Sequence, residues 1–257
     1  MTSELLGDWT PLIFLIALLP PLYLLQRWIN RHLQGLGLLL TDSTDTAIMV
    51  YFLTLLPGIA LHELSHWLAA VMLRVPVGGL ALWPRKKRGG QVRLGSVSVG
   101  AADPVRASLI GLAPLVAGCG VILLVGQIVL GIDDLGRLLI YGAWADLWRE
   151  LVAYWHAPDF PIWLYLIFAV ANAMLPSESD RGAWPTMALF FGVATVIFGL
   201  LGGLPSIATS LQATFLAAIG YLAYALGLAA VVDAVFVVAI ALTEELAGRA
   251  LKRRVEY

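Results

Sequence analysis

Pro57-Gly-Ile-Ala-Leu-His62-Glu63-Leu-Ser-His66-Trp-Leu-Ala-Ala-Val71 sets two histidines and a glutamate inside an otherwise apolar run. The run extends over residues 47–73, enough for a hydrocarbon core about 30 Å thick, which takes roughly 20 apolar residues in a helix. On that helix, positions i and i+4 share a face. Both imidazoles can therefore bind one zinc ion, and Glu63 lies close enough to act on a metal-bound water. Ionisable groups at this depth cost on the order of several kcal/mol unless paired, so they must face protein or a water-filled cavity, where a metal would compensate them. The plainer alternative is a polar cluster that hydrogen-bonds neighbouring helices and binds nothing.

The rest of the chain agrees with a bilayer setting. Its 257 residues are 60% hydrophobic and only 13% charged, with mean hydropathy +0.86, where a soluble domain is about 25% charged. Sixteen basic residues against 17 acidic ones leave no cationic surface for a nucleic-acid backbone. The single cysteine, Cys119, excludes an intrachain disulfide and a cysteine-rich zinc site. Residues 1–9 contain Glu4 and Asp8 and no basic cluster, so the first apolar run is expected to be a retained span and not a cleaved signal.

Hydropathy predicts an all-α polytopic membrane protein with six spans, over residues 11–25, 47–73, 108–130, 160–175, 187–201 and 207–242. Pro20 and Pro21 predict a kink in the first. The last is too long for one upright span, which predicts tilt, partial interfacial placement, or a break near Gly220 to Gly227. Basic residues collect at Arg74, Arg85, Lys86, Lys87, Arg88, Arg93 and Arg106, and again at Arg249, Lys252, Arg253 and Arg254. With six spans both clusters and both termini fall in the cytoplasm, and only Arg27 and Arg31 object.

Between the second and third spans, residues 91–99 alternate as a strand and change parity across Gly95, which predicts a bulge there. Residues 78–83 are the expected partner, giving a small β-hairpin insertion. For a third metal ligand the sequence offers Asp180 and Glu178, just after the fourth span. His156 and Glu150 fall on the wrong side, and Asp233, inside the last span, reads as a hydrogen-bonding residue between helices.

Taken together, His62-Glu63-Leu-Ser-His66 in a membrane helix and Asn172 through Asp180 resemble the site-2 protease family of intramembrane zinc metalloproteases. The second stretch looks like that family's Asn-x-x-Pro…Asp-Gly signature, and Gly111-Leu-Ala-Pro114-Leu-Val-Ala-Gly118 resembles the small-residue and proline stretch opening its next core helix. Pro176 lies one position later than usual, and Arg181 separates Asp180 from Gly182. The resemblance implies a catalytic core over residues 47–182. Residues 1–46 would then add an N-terminal span and loop, and 183–257 C-terminal spans and a basic tail.

The resemblance further implies one zinc ion on His62, His66 and Asp180, with Glu63 moving protons and Asn172 positioning substrate or stabilising the oxyanion. The implied activity is hydrolysis of a peptide bond in a membrane-spanning protein substrate within a prokaryotic cell membrane, the strand near residues 91–99 binding the unwound chain. The alternative is a non-enzymatic metal-binding membrane protein or transporter. Glu63 separates the two, since a binding site has no need of an acid between its histidines. Glu244-Glu245-Leu-Ala-Gly-Arg249 also fits the Glu-Glu-x-x-x-Arg motif of bacterial CAAX-protease-like membrane enzymes. No histidine follows Arg249, however, and these carboxylates read as a helix end with its basic flank.

Overall fold

The computed structural model describes residues 10–86, 92–130, 159–177, 179–189 and 204–253, with residues 145, 149, 152 and 193. Among the described residues the principal helices are α1 Thr10–Thr41, α2 Thr44–Met72, α3 Pro104–Leu123, α4 Phe160–Met174 and α5 Leu204–Leu251. Four helical stretches among the described residues are long and apolar enough to cross a membrane, namely α1, α2, Pro104–Gln127 and Thr214–Leu251. α4 has 15 residues, about 22 Å at 1.5 Å per residue, and is shorter than the hydrocarbon core. The expected span over 187–201 lies largely outside the described residues.

Two helices outrun their expected bounds. α1 continues through Pro20, Pro21, Arg27 and Arg31 to Thr41, and α5 is one 48-residue helix that passes Gly220 and Gly227 without a break. Their mutual packing explains the continuity. Gly227 faces Phe14 and Leu18, and His32 Nδ1 meets Glu244 Oε2 at 2.7 Å, so α1 supports α5 along its length where composition alone suggests an interruption. The short connection from α1 to α2 depends on Asp42, which takes a positive φ of 54°, and on Ser43, whose hydroxyl accepts from the Thr46 N–H as an N-cap.

Contacts between helices fix their directions. α1 and α5 run parallel, because Phe14, His32 and Asp42 meet Gly227, Glu244 and Arg253 in that order. α2 and α4 run together the opposite way. The Tyr165 hydroxyl donates to Thr54 O at 2.9 Å, Gly58 lies on Ala169, and His62 meets the Ala173 carbonyl. α3 is antiparallel to α4, with Gly111 on Asp180 and Gly118 on Met174. The sheet segment starts just past the C-terminal end of α2 and runs back along that helix, with Gly95 against Glu63 and the Trp83 ring 5.9 Å from that of Phe52. The Arg253–Asp42 ion pair, 3.1 Å long, places the end of α5 beside the N-terminal end of α2.

One apolar cluster, containing Leu22, Ile29, Phe52, Leu55, Ile122, Phe168 and Leu226, runs through all five helices. Outward-facing Leu24, Val116, Val231, Val238 and Leu246 stay exposed, a pattern suited to lipid and unsuited to water. Lipid tails are as apolar as leucine, so helix association here rests on close packing and on polar links worth about 1 kcal/mol each. Such links include Gln26 Nε2 to Ala171 O at 2.8 Å and the Tyr51 hydroxyl to Asn30 Oδ1 at 2.8 Å.

The β insertion forms as two short antiparallel ladders. β1 Val77–Ala81 pairs with β4 Ser96–Val99, and β2 Arg85–Lys86 pairs with β3 Val92–Arg93. The register runs Val77↔Val99, Leu80↔Val97 and Ala81↔Ser96, with its irregularity between Val77 and Leu80. The bulge is thus in β1, at Gly78-Gly79, and not at Gly95 as the alternation suggested. Gly95 instead separates the two ladders, for a reason that belongs to the site.

Candidate metal centre

His62 and His66 project from one face of α2, as i,i+4 spacing requires. Their Nε2 atoms are 3.1 Å apart. Asp180, in the turn after α4, brings Oδ1 within 3.1 Å of His66 Nε2 and Oδ2 within 3.6 Å of His62 Nε2. Among the described residues these three form the one group of histidine, cysteine or acidic side chains able to hold a metal ion, their ligand atoms all within 4.8 Å of one another.

The donor set fits a cation for a specific reason. His62 Nδ1 lies 2.7 Å from Ala173 O, and His66 Nδ1 lies 2.8 Å from Ile110 O. A carbonyl oxygen only accepts, so each ring keeps a proton on Nδ1 and turns an Nε2 lone pair toward the other and toward the Asp180 carboxylate. Three electron-pair donors converging this closely repel unless a positive charge stands among them. Ligands at about 2.0–2.1 Å around a tetrahedral zinc are roughly 3.3 Å apart, close to the separations seen here.

Both orienting carbonyls are freed by local sequence. The helical partner of Ile110 O would be the N–H of residue 114, but that residue is Pro114, which has none. Ala173 O belongs to the last turn of α4, and the Ser177 N–H that would otherwise reach it donates to Asp180 Oδ2 at 2.7 Å. Burial works against a charge on Asp180. The hydrogen bonds that Ser177 donates to its carboxylate favour the charged form instead.

Three glycines let backbone come close at or beside the site. A Cβ on Gly111 would collide with the Asp180 carbonyl, and one on Gly58 with the Ala169 carbonyl. At Gly95 a Cβ would stand 2.7 Å from Glu63 Cγ and 2.9 Å from its Oε1. The link between the two ladders therefore lies directly against Glu63, which is 8% exposed and faces the Val97 N–H of β4. Side chains of α2, the sheet, α3 and α4 line a cavity of about 760 Å³ that contains His62, Glu63, His66, Asn172 and Asp180.

The residues that the resemblance assigned to the site, His62, Glu63, His66, Asn172 and Asp180, all line this cavity. Asn172 is there with its amide engaged: Nδ2 donates to Phe168 O at 3.0 Å and to Asp233 Oδ1 at 2.7 Å. Asp233 thus hydrogen-bonds between helices, as its position in the last span suggested. Glu178, His156 and Glu150 lie outside the described residues. Glu244 pairs with His32 and Glu245 with Arg249, both away from the cavity. The Ile110 and Ala173 carbonyls have no side-chain signature, although Pro114 signals the first. Compared with known proteins, the chain matches no family model, no curated sequence and no solved structure.

Proposed function

We propose that the chain is an intramembrane zinc metallopeptidase that hydrolyses a peptide bond in a membrane-spanning substrate. The observation that carries this reading is the placement of Glu63, an acid enclosed beside three converging ligand atoms and inside the same cavity. A site that only stored or carried a metal would gain nothing from it. Zinc bound there supplies Lewis acidity that polarises a carbonyl and makes water more acidic. Glu63 removes the proton of the attacking water, retains it on its carboxyl, and delivers it to the leaving amine. His62 and His66 stay oriented through Ala173 O and Ile110 O while charge shifts around them.

A helical substrate hides its scissile carbonyls and must unwind first. β4 stands beside Glu63 and pairs, among the described residues, with β1 alone, so its other edge suits an extended segment. The ligand types, two imidazoles and one carboxylate, favour zinc over a hard cation such as magnesium. Incubating the purified protein with a single-span substrate in detergent tests the reading. Cleavage should stop when a chelator strips the metal and return with zinc. Cleavage that persists in metal-free protein contradicts it.

A further inference from the structure

Consecutive residues in the last turn of α4 are each held by a different helix. Gln26 Nε2 of α1 donates to Ala171 O at 2.8 Å, and Asp233 Oδ1 of α5 accepts from Asn172 Nδ2 at 2.7 Å. His62 Nδ1 of α2 donates to Ala173 O at 2.7 Å. Met174 packs on Gly118 of α3, where an added Cβ would stand 2.5 Å from the methionine Cβ. A helix leaves the carbonyls of its last turn without helical donors, so groups from elsewhere must take them. This turn serves the metal centre twice: Ala173 O orients His62, and the chain leads from Met174 into the turn that carries Asp180.

α1 and α5 supply no ligand to the centre, yet both reach this turn. Gln26 and Asp233 are buried, lie beside each other, and come from stretches apolar enough to span a membrane. A carboxyl in such a stretch costs more than a polar link between membrane helices returns. Adhesion between helices therefore does not account for Asp233, whereas the turn it holds does. We propose that Gln26 and Asp233 are positioning residues of the metal centre: from α1 and α5 they fix the last turn of α4, and through Ala173 O and the Asp180 turn they set the geometry of two of the three ligands. The inference rests on the metal-binding half of the reading above and needs no peptidase activity.

The test uses the full-length protein in detergent and reads the metal, not cleavage. Chelator competition gives zinc affinity, and the visible spectrum of cobalt-loaded protein reports ligand geometry. Gln26→Met keeps the side-chain length and loses the donor, Asp233→Leu loses the acceptor, and Asp233→Asn keeps an oxygen for Asn172 Nδ2. Gln26→Met and Asp233→Leu should each weaken zinc on the order of tenfold, the lower end of what an outer partner of a ligand is worth, and alter the cobalt spectrum. Asp233→Asn should match wild type in both. His32→Leu breaks the link between α1 and α5 at Glu244, away from the cavity, and should keep wild-type affinity and spectrum whatever its melting temperature. Gln26→Met decides the matter where Asp233→Leu does not fold. Wild-type affinity and spectrum in folded Gln26→Met or Asp233→Leu protein, an Asp233→Asn protein as weak as Asp233→Leu, or an equal loss in His32→Leu overturns the proposal. A wild type that binds zinc and cleaves no membrane substrate overturns the peptidase reading alone, and one that binds no zinc overturns both.

Discussion

His66 Nδ1 reaches the Ile110 carbonyl at 2.8 Å, and that carbonyl lacks its helical donor because residue 114 is proline. A missing backbone N–H on α3 thereby orients a metal ligand on α2.

Pro114→Ala should separate stability from metal binding. Alanine restores an N–H that competes for Ile110 O and is the better helix former in a helix interior by about 3 kcal/mol. The variant should melt no lower than wild type, yet hold zinc at least tenfold more weakly, the scale expected when a partner orienting a ligand is lost. Chelator competition alongside thermal melting reads both. Unchanged zinc affinity contradicts the assignment.

Two glycines of α3 give an internal comparison. A Cβ at Gly111 collides with the Asp180 backbone, whereas a Cβ at Gly120 meets nothing within 4 Å. Gly120→Ala should be neutral or stabilising by up to about 1 kcal/mol. Gly111→Ala should cost about 1–3 kcal/mol through overpacking and displace Asp180 from the histidines. Equal melting temperatures and equal zinc content in the two variants would contradict this packing.

Helix directions predict a labelling pattern whichever way the protein faces. Cysteine at Arg74, just past the C-terminal end of α2, and cysteine at Arg253, beside Asp42 before its N-terminal end, lie at opposite ends of that helix. In a background with Cys119 replaced, an impermeant thiol reagent applied to intact cells should label one of the two and spare the other. Labelling of both, or of neither, would contradict these helix directions.

What could be read from the sequence was local chemistry. The face shared by His62, Glu63 and His66 follows from helical periodicity, and alternation located the sheet within a few residues. The bulge was misplaced because Gly95 breaks the pattern for a tertiary reason, the close approach of Glu63. Unbroken α5 was not legible either, since hydropathy registers glycines at 220 and 227 and not the support α1 gives them. Asp180 is far from the histidines along the chain, and periodicity alone offered Glu178 equally.

Those two carboxylates can be separated by metal content. Asp180 touches both histidines, so Asp180→Ala should lose zinc under mild chelation, while Glu178→Ala should keep it. Retention by Asp180→Ala with loss in Glu178→Ala would exchange their roles.

The central claim is that Glu63 transfers protons beside a metal that it does not hold. Its most direct measurement is Glu63→Gln, with zinc content and cleavage of a single-span substrate determined on the same purified sample. The account predicts wild-type zinc and a loss of cleavage of at least 100-fold, the scale of a removed general base. Cleavage at the wild-type rate by zinc-loaded Glu63→Gln protein would contradict it.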